Sequence, residues 1–538
     1  MRRTALPVAA VLGLSLLLPQ HQAVAAETVD QPLAEGTIQD VGPGMYFSST
    51  ESFEVTEIDV PGVLVNRRHS VSAQADGVAS PEDAPDTRAD MGVFGPSWEA
   101  EFVGGQLNRK LEQQGDAVLV TDLGVDETLR YELKSSIDYP SGGGVKKYAT
   151  TTGSTVTETT KWNDLTGTME TSITEVINVD LASTPAGDDA FVDASGQPIS
   201  ATNLKPTYKW QQAGTGADAW RVTSVGNNTY ATKVEYDTHG RVAEITNPAY
   251  GEKPASSTDV VYATSTTATS SAPGDYAGQV KQITVTEGAT TQTLARYAYD
   301  SSGLLRTVTN PTESGDPLAT YDYDATDRVS DLSSETNGSW HLEFSSGTAQ
   351  PTATSTGGEV PVPGAAVPGD APSSDATGTD APASSEFLGS EVSGPQSYPS
   401  HCDTATSWMY YTKSGCTTKV AHYGWHNPTW KTLPNGTKVR GIHEDHCTTS
   451  PDAPLGYNFR PACDQHDYGY GTIGNSYKGY YKYLSRSKGL NVDGVFWNSL
   501  YWKTCSAYWF KSTCRSLANT YFVFVAVIGR AKNGANAT

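Results

Sequence analysis

Cysteine placement is the feature that most strongly constrains how this chain can fold. All six cysteines lie between Cys402 and Cys514, and the first 401 residues contain none. In an exported protein, an even number of cysteines favours disulfide bonds. The chain has 538 residues, more than one hydrophobic core normally organises. The sequence therefore predicts a multidomain protein with a disulfide-bonded unit at its carboxyl-terminal end.

The amino terminus indicates the compartment. Arg2 and Arg3 precede an apolar run from Val8 to Leu18, and small residues follow at 23–26. This order predicts a secretory signal peptide over residues 1–26 and hence a secreted, extracellular protein. An uncleaved membrane anchor is the alternative, but the run is shorter than the ~20 residues that span a bilayer.

Charge is divided unevenly along the chain. Residues 401–538 contain 15 basic and 7 acidic residues, a net charge of +8. The whole chain carries −23, which leaves −31 for residues 1–400. The acidic front half could contact the basic end, or the basic end could be steered toward anionic surfaces. Acidity that only keeps a secreted protein soluble explains the pattern equally well, and no nucleic-acid partner is expected.

Residues 27–344 are predicted to be β-rich. Residues 27–149 form one region without a clear motif, and residues 150–344 form a second, in which Thr, Val and Tyr alternate with polar residues. The second region contains internal repeats. VEYDTHGRVAEITNP starts at Val234, YAYDSSGLLRTVTNP at Tyr297 and YDYDATDRVSDLS at Tyr321, and a degenerate copy runs over residues 261–286.

These repeats resemble those of RHS/YD-repeat proteins. The resemblance implies that each tyrosine packs on a sheet face and that each following aspartate accepts hydrogen bonds in a turn. The tyrosines are Tyr236, Tyr299 and Tyr323, and the aspartates are Asp237, Asp300 and Asp324. Because three or four copies are few, we expect an open, curved β-sheet instead of a closed shell.

Residues 345–400 are predicted to be a disordered linker. This stretch is rich in Pro, Ala, Ser, Thr and Gly and almost free of aromatic residues. Such a composition buries too little apolar surface to fold. The linker would let residues 401–538 move independently or be released by proteolysis.

The stretch DHCTTSPDAPLGYNFRPACDQHDYGY begins at Asp445 and holds the candidate chemistry. A disulfide bond between Cys447 and Cys463 would close its loop and bring Asp445 toward Asp467. Two carboxylates would then share a pocket with His466. Oxygen ligands of this kind suit Ca²⁺, and a neutral histidine can take a proton from water. The spacing therefore supplies the parts for metal-assisted hydrolysis.

The same motifs resemble the small secreted phospholipase A2 family of bacteria and fungi. CxxHDxGY, with an Asp-X-Cys upstream, occurs in order with the PDxPxGYxF loop. The resemblance covers residues 407–529 and implies an all-α, disulfide-bonded domain. Ca²⁺ is the implied cofactor, and a phospholipid membrane or micelle surface is the implied partner.

The resemblance also assigns residue roles. His466 would be the general base, and Asp493 would orient it. Asp445, Asp467 and the backbone carbonyl of His446 would bind Ca²⁺. Two departures from the family pattern are a longer segment between His466 and Asp493 and a histidine, in place of an apolar residue, at 446.

Helical periodicity supports the pairing of His466 with Asp493. In the segment from Val492 to Cys505, residues Val492, Phe496 and Leu500 form one apolar stripe, with Asp493 at its edge. A histidine on one helix and an aspartate on a neighbouring helix would fix the tautomer of the imidazole.

Cysteine pairing and metal identity have alternatives. Six cysteines allow 15 connectivities, and pairing of sequence neighbours would join Cys402 to Cys416. The resemblance implies the other two neighbour pairs, 447–463 and 505–514. The HEDHC segment could indicate zinc, but its spacing does not suit a closed structural site.

The leading hypothesis is a secreted calcium-dependent phospholipase A2 that cleaves the sn-2 ester of glycerophospholipids by a His-Asp dyad activating water. The alternative is an RHS-type polymorphic toxin, or a cell-surface adhesion protein, with a carboxyl-terminal lipase-like effector domain. A binding module with an inactive lipase site is a third reading. Release of free fatty acid would distinguish the two hypotheses that include an active lipase from the hypothesis of an inactive site.

Overall fold

The computed structural model describes residues 38–60, 65–73, 79–81, 88, 90–96, 98–125, 127–178, 201–213, 219–228, 230–249, 254–312, 317–334, 336–357, 359–361, 397–399, 409, 429–441, 446–447, 452–473, 486–508, 511–523 and 525. The predicted signal peptide, most of the predicted linker, Asp445, Cys402 and Cys416 lie outside these ranges.

The first described unit is a six-stranded antiparallel sheet in the order β1-β2-β3-β4-β5, with β6 also paired to β4. Strand β4 lies at its centre because β3, β5 and β6 all pair with it. The strands are β1 Ile38–Val41, β2 Gly44–Phe47, β3 Ser52–Val60, β4 Val65–Ala73, β5 Ala79–Pro81 and β6 Glu99–Phe102.

Strands β7 to β24 form one continuous antiparallel sheet that closes into a barrel. Strand β14 also lies against β7. The strands are β7 Arg109–Gln114, β8 Ala117–Asp122, β9 Glu127–Asp138, β10 Gly144–Ala149, β11 Thr155–Asn163, β12 Thr168–Val176, β13 Thr207–Gln212, β14 Trp220–Gly226, β15 Ala231–Tyr236, β16 Val242–Asn247, β17 Ser256–Tyr262, β18 Val280–Glu287, β19 Thr290–Tyr299, β20 Leu305–Thr309, β21 Ala319–Tyr323, β22 Val329–Ser334, β23 Gly338–Phe344 and β24 Pro351–Ser355.

The expectation of an open sheet is wrong. Closure uses more strands than the repeats supply: β7 to β10 precede the repeat region, and β24 follows it. Strand β24 also corrects the start of the predicted linker, because Pro351–Ser355 pairs with β23 along its whole length. The composition of this short stretch, which is rich in Thr and Ser, predicted a linker. It forms a strand because it pairs with the free edge of β23.

The repeat tyrosines have one common contact. The hydroxyl of each donates a hydrogen bond to a main-chain carbonyl of an earlier strand. The pairs are Tyr236 with Val222, Tyr262 with Val242, Tyr299 with Val280 and Tyr323 with Leu305, at 2.7–2.8 Å. Tyr262 belongs to the degenerate copy, so this copy has the same geometry as the others.

The aspartates accept main-chain hydrogen bonds within their turns, as predicted. Asp237, for example, accepts from the amides of His239 and Arg241. Its carboxylate also binds the Arg241 guanidinium at 2.7 Å, and this guanidinium lies over the ring of Tyr262 in the next repeat. Each repeat arginine thus joins its own turn to the following aromatic ring. The other sets are Asp300, Arg306 and Tyr323, and Asp324, Arg328 and Phe344.

A buried arginine joins the first sheet to the barrel. Arg67 on β4 forms a two-pronged ion pair with Asp59 on β3 at 2.6 and 2.8 Å. The same guanidinium donates to the hydroxyl of Tyr321 on β21 and lies over the ring of Trp98. The Arg67 side chain is fully buried, so its charge depends on these neighbours for compensation.

Substitution of Arg67 with methionine is expected to destabilise the front part by about 3–5 kcal/mol, because the buried Asp59 carboxylate loses its counter-charge. Urea unfolding followed by tryptophan fluorescence would measure this change. Arg130→Met is the matched control, since Arg130 pairs with Glu132 at an exposed site. This control should cost less than about 1 kcal/mol. Equal effects of the two substitutions would contradict the role given to Arg67.

The carboxyl-terminal part contains three α-helices, α1 Arg460–Ile473, α2 Arg486–Asn498 and α3 Lys511–Val523. Short helical turns cover Pro454–Gly456, Ser499–Thr504 and Cys505–Ala507. The remaining described elements are the short helix Ala201–Leu204 and the strands β25 Glu359–Pro361, β26 Ser397–Pro399, β27 Thr429–Thr432 and β28 Lys438–Gly441.

The prediction of an all-α carboxyl-terminal domain is wrong in one respect. Strands β27 and β28 form an antiparallel hairpin. Its turn contains Asn435 followed by Gly436, and Gly436 has a φ of 88°. Asn-Gly between two short strands is a strong hairpin pattern, because glycine adopts positive φ without steric cost. The hairpin packs against α1.

Hydrogen bonds connect the barrel to the last helix. The main-chain amides of Lys511 and Ser512, at the start of α3, donate to the two carboxylate oxygens of Glu127 at 2.9 and 3.0 Å. The hydroxyls of Tyr208 and Ser516 lie 3.1 Å apart. A carboxylate at a helix amino terminus satisfies amides that have no partner within the helix.

Candidate functional site

Helix α1 carries the predicted base and is fixed at its amino-terminal end. It begins at Arg460, and Pro461 follows in the first turn, where its fixed φ suits a helix. The loop before it is turned by Leu455, whose φ is 53°. The carbonyl of Asp452 accepts from the amides of Phe459 and Arg460 and ties this loop to the helix start.

Two disulfide bonds support the helices. Cys447 pairs with Cys463 on α1, and Cys505 pairs with Cys514 on α3. Both pairs were predicted, and the structure confirms them. The first bond holds the loop that starts beside His446 against the helix turn that precedes His466.

Helix α2 packs against α1 and brings Asp493 to His466. The His466 Nε2 and Asp493 Oδ1 atoms are 3.1 Å apart. Asp493 is buried, and the His466 ring also packs against Phe496, with ring centroids 4.7 Å apart. Since a carboxylate only accepts hydrogen bonds, Nε2 carries a proton in this pair. In the neutral imidazole, Nδ1 is then the basic nitrogen.

Close approach of the two helices depends on Gly469. A methyl group at this position would lie 2.7 Å from the Val492 side chain and 2.5 Å from Met409. Both distances are shorter than carbon and sulfur atoms tolerate. The glycine of the HDxG motif therefore lets α2 come near enough for Asp493 to reach His466. We did not single out this residue from the sequence, although the motif contains it.

His446 adopts a left-handed backbone conformation, with a φ of 56°. Its Nδ1 atom lies 2.6 Å from Asp464 Oδ1, and its Nε2 atom contacts the Arg460 guanidinium. Asp464 is buried and also pairs with Lys431 on β27. The side chain of His446 is thus engaged by Asp464, and only its backbone carbonyl was predicted to bind metal. Asp464 is a residue that sequence reasoning missed.

Metal ligation was predicted at Asp445, His446 and Asp467. Asp445 lies outside the described residues, and Asp467 is half-buried beside His466. Within the described residues, no group of three or more histidine, cysteine and acidic side chains is close enough to hold a metal ion. The predicted donors are two carboxylates and one carbonyl, which are the oxygen ligands that Ca²⁺ prefers. The donor set therefore fits calcium chemically.

Across the described ranges, no helix combines the length and apolar character that crossing a bilayer requires.

The carboxyl-terminal part is similar in sequence to known proteins. Residues 429–529 match the family model described as prokaryotic phospholipase A2. A secretory phospholipase A2 of Arthroderma benhamiae is 37% identical over 92 residues, which are 16% of this chain and 57% of that protein. A secretory phospholipase A2 of Beauveria bassiana is 31% identical over 85 residues, covering 16% of this chain and 42% of that protein. The chain thus spans about half the length of these curated relatives.

One solved structure aligns with a larger share of the chain. It is titled "Crystal Structure of TcdB2-TccC3-TEV", and the match covers 59% of this chain and 19% of the other at 12% identity and a TM-score of 0.17. A score of this size does not establish a common fold. The matched sequence shows that residues 429–529 of this chain resemble the prokaryotic phospholipase A2 family, and the bond between Cys447 and Cys463 lies within the matched range.

Proposed function

We propose that the chain is a secreted, calcium-dependent phospholipase A2 that hydrolyses the sn-2 ester of glycerophospholipids. The observation that carries this proposal is the buried contact between His466 and Asp493 at 3.1 Å. It lies within residues that match a phospholipase A2 family. The two curated relatives are named secretory, and disulfide bonds are typical of an extracellular location.

In the proposed reaction, Nδ1 of neutral His466 takes a proton from water, and the water oxygen attacks the ester carbonyl carbon. Asp493 accepts a hydrogen bond from Nε2 and stabilises the imidazolium that forms. The imidazolium then returns its proton to the leaving alcohol oxygen as the carbon–oxygen ester bond breaks. The products are a free fatty acid and a lysophospholipid. Burial of Asp493 strengthens its interaction with the imidazolium, because water does not screen it.

Asp445, Asp467 and the carbonyl of His446 would hold Ca²⁺, which when bound supplies positive charge for the substrate phosphate and for the developing oxyanion. His446 directly precedes Cys447, so the disulfide bond to Cys463 keeps its backbone next to α1. Asp467 directly follows His466 on that helix. The disulfide bond and the helix support the proposal for His446 and Asp467, the two donors that the structure describes.

Calcium removal is expected to abolish hydrolysis. Fatty-acid release from phosphatidylcholine would be measured with Ca²⁺, with excess chelator, and after Ca²⁺ is restored. Ca²⁺ should also raise the thermal unfolding temperature, because a ligand that binds only the folded state stabilises it. Asp467→Asn should weaken both effects. Undiminished hydrolysis in excess chelator would rule out the calcium requirement, and absence of any fatty-acid release would rule out the enzyme.

We also propose that the acidic front half binds the basic carboxyl-terminal part of the same chain. Lys503 lies 3.0 Å from Asp40 of β1, in addition to the bonds from α3 to Glu127. Whether the chain also serves as a polymorphic toxin or an adhesion protein stays a prediction. Growth inhibition of neighbouring cells would be its test.

A further inference from the structure

The described surface carries one concentrated apolar region. Six large apolar side chains are exposed in the part of the chain that the structure describes, and five of them lie at one end of strands β9 to β12. We call these five residues the barrel tip. They are Ile137, Tyr139, Trp162, Leu165 and Met169, with exposed fractions of 57%, 42%, 57%, 97% and 40%.

Strand register brings the barrel tip together. Ile137 pairs with Val145 across β9 and β10, and Trp162 pairs with Met169 across β11 and β12. Strands β10 and β11 pair directly, with Val145 opposite Thr159. Tyr139 follows the end of β9, and Leu165 lies in the turn between β11 and β12. The two hairpins therefore end side by side.

The barrel tip is apolar on both faces of the sheet. Cross-strand partners share a face, so Ile137, Val145 and Thr159 lie on the same side. Trp162 is three residues after Thr159 and therefore lies on the opposite side together with Met169. Leu165 extends beyond both faces at the turn. A protein partner that packs on a sheet needs one apolar face, whereas a surrounding apolar medium contacts both faces and the turn.

From this arrangement we propose that the barrel tip docks the protein on a phospholipid surface by inserting its side chains among the lipids. Tyrosine and tryptophan favour the boundary between headgroups and acyl chains, and leucine, isoleucine and methionine favour the region below it. The proposal rests on the proposed phospholipase function, because it names the surface that would bring the enzyme to its substrate. The docking residues lie in the barrel, outside residues 429–529.

Charge near the barrel tip selects the kind of lipid. Three acidic residues are exposed there, Asp138, Asp164 and Glu170, against two exposed lysines, Lys146 and Lys161. The front half as a whole is strongly acidic, as counted above. Anionic lipids would therefore be repelled, whereas the ammonium groups of phosphatidylcholine would be tolerated. Binding should be stronger to phosphatidylcholine vesicles than to vesicles that contain phosphatidylserine.

The test compares the full chain with the double variant W162S/L165D. Both side chains are more than half exposed, so their replacement leaves the core intact. Vesicle co-sedimentation on phosphatidylcholine should fall roughly tenfold or more in this variant, because the apolar surface that enters the lipid is lost. The matched control is Val261→Ser, at the sixth exposed apolar residue, which lies on β17. The control should bind vesicles as the unmodified chain does.

Hydrolysis of a short-chain phosphatidylcholine below its micelle concentration separates the two proposals. The double variant should hydrolyse this dispersed lipid at the unmodified rate. Unchanged vesicle binding by the double variant would overturn the docking proposal. The docking proposal would also be overturned if the double variant changed from a dimer to a monomer and still bound vesicles. In that case the barrel tip would contact a second copy of the chain. Failure of the unmodified chain to hydrolyse dispersed lipid would instead overturn the phospholipase function and leave vesicle binding as a separate result.

Discussion

Replacement of His466 with alanine is expected to lower sn-2 ester hydrolysis by roughly 10²–10⁴-fold, the usual contribution of a general base. The physical reason is that, among the described residues, no other basic side chain lies between Asp493 and Phe496, where it could take the proton from water. Fatty-acid release at saturating substrate would measure the loss. The fold should stay intact, and the thermal unfolding temperature should fall modestly because buried Asp493 loses a hydrogen-bond donor.

His341→Ala is a matched control for this substitution. His341 forms a similar contact with an aspartate, with Nδ1 2.8 Å from Asp331, but this pair is about half exposed on the barrel. Activity should therefore be unchanged. Asp493→Asn should lower kcat and leave KM nearly constant, because it disturbs the imidazole tautomer and not substrate binding. If the His466 variant retained most of its activity, another group would have to be the base.

Stability is expected to fall as the pH rises from about 5 to about 8, contrary to ordinary acid denaturation. Burial raises the pKa of Glu57 from 4.5 to about 7, although Arg67 and Asn337 oppose the shift. Burial likewise raises the pKa of Glu101 to about 8 against the opposing charge of Arg68.

Glu127 behaves in the same way at the contact with α3. Burial raises its pKa from 4.5 to about 7, against the amides of Ser512 and Lys511, which favour the carboxylate. Asp122 adds negative charge and raises the pKa, and Arg515 opposes it.

The sign of the pH effect follows from proton binding. The unfolded chain releases these three protons near pH 4.5, whereas the folded chain keeps them until pH 7 to 8. Between these values the folded state binds more protons, so rising pH favours unfolding. Each group contributes on the order of 3 kcal/mol across this interval. The stability from these groups is complete below about pH 4.5 and is lost by about pH 8.

Urea unfolding at about pH 5.5 and about pH 8 would measure this difference. Glu57→Gln and Glu127→Gln should each reduce it, because a neutral amide replaces a group that must otherwise ionise. Glu132→Gln is the control, since the Glu132 side chain is half exposed. This change should leave the difference unaltered. Greater stability at the higher pH would contradict the prediction.

The repeats and helices were predictable from sequence because their patterns are local. The tyrosine and aspartate contacts follow from adjacent strands and turns, and Val492, Phe496 and Leu500 are buried as their spacing indicates. Barrel closure was not predictable in this way, because it depends on pairing between strands distant in sequence. The hairpin at Asn435 was overlooked although its turn pattern is local.

The contact between His466 and Asp493 was predicted from one motif and one helical stripe, and their catalytic roles stay a prediction. His466 and Asp493 lie on separate elements, and the structure brings them together. Asp464 was not predicted, because its contacts with His446 and Lys431 involve residues that are far apart in the chain. Gly469 was missed because a glycine within a helix reveals its purpose only when the neighbouring helix is known.

The aspartate–arginine–aromatic contacts of the repeats recur from one repeat to the next and join each repeat to its neighbour. Each arginine reaches backward to the aspartate of its own turn and forward to the ring of the next unit, ending at Phe344. Because the three forward contacts use the same kinds of atoms, the units that carry the arginine have equivalent junctions. Evolution or an engineer could therefore lengthen or shorten such an array by whole units, whereas a gain or loss of part of a unit would break the chain of contacts at that point.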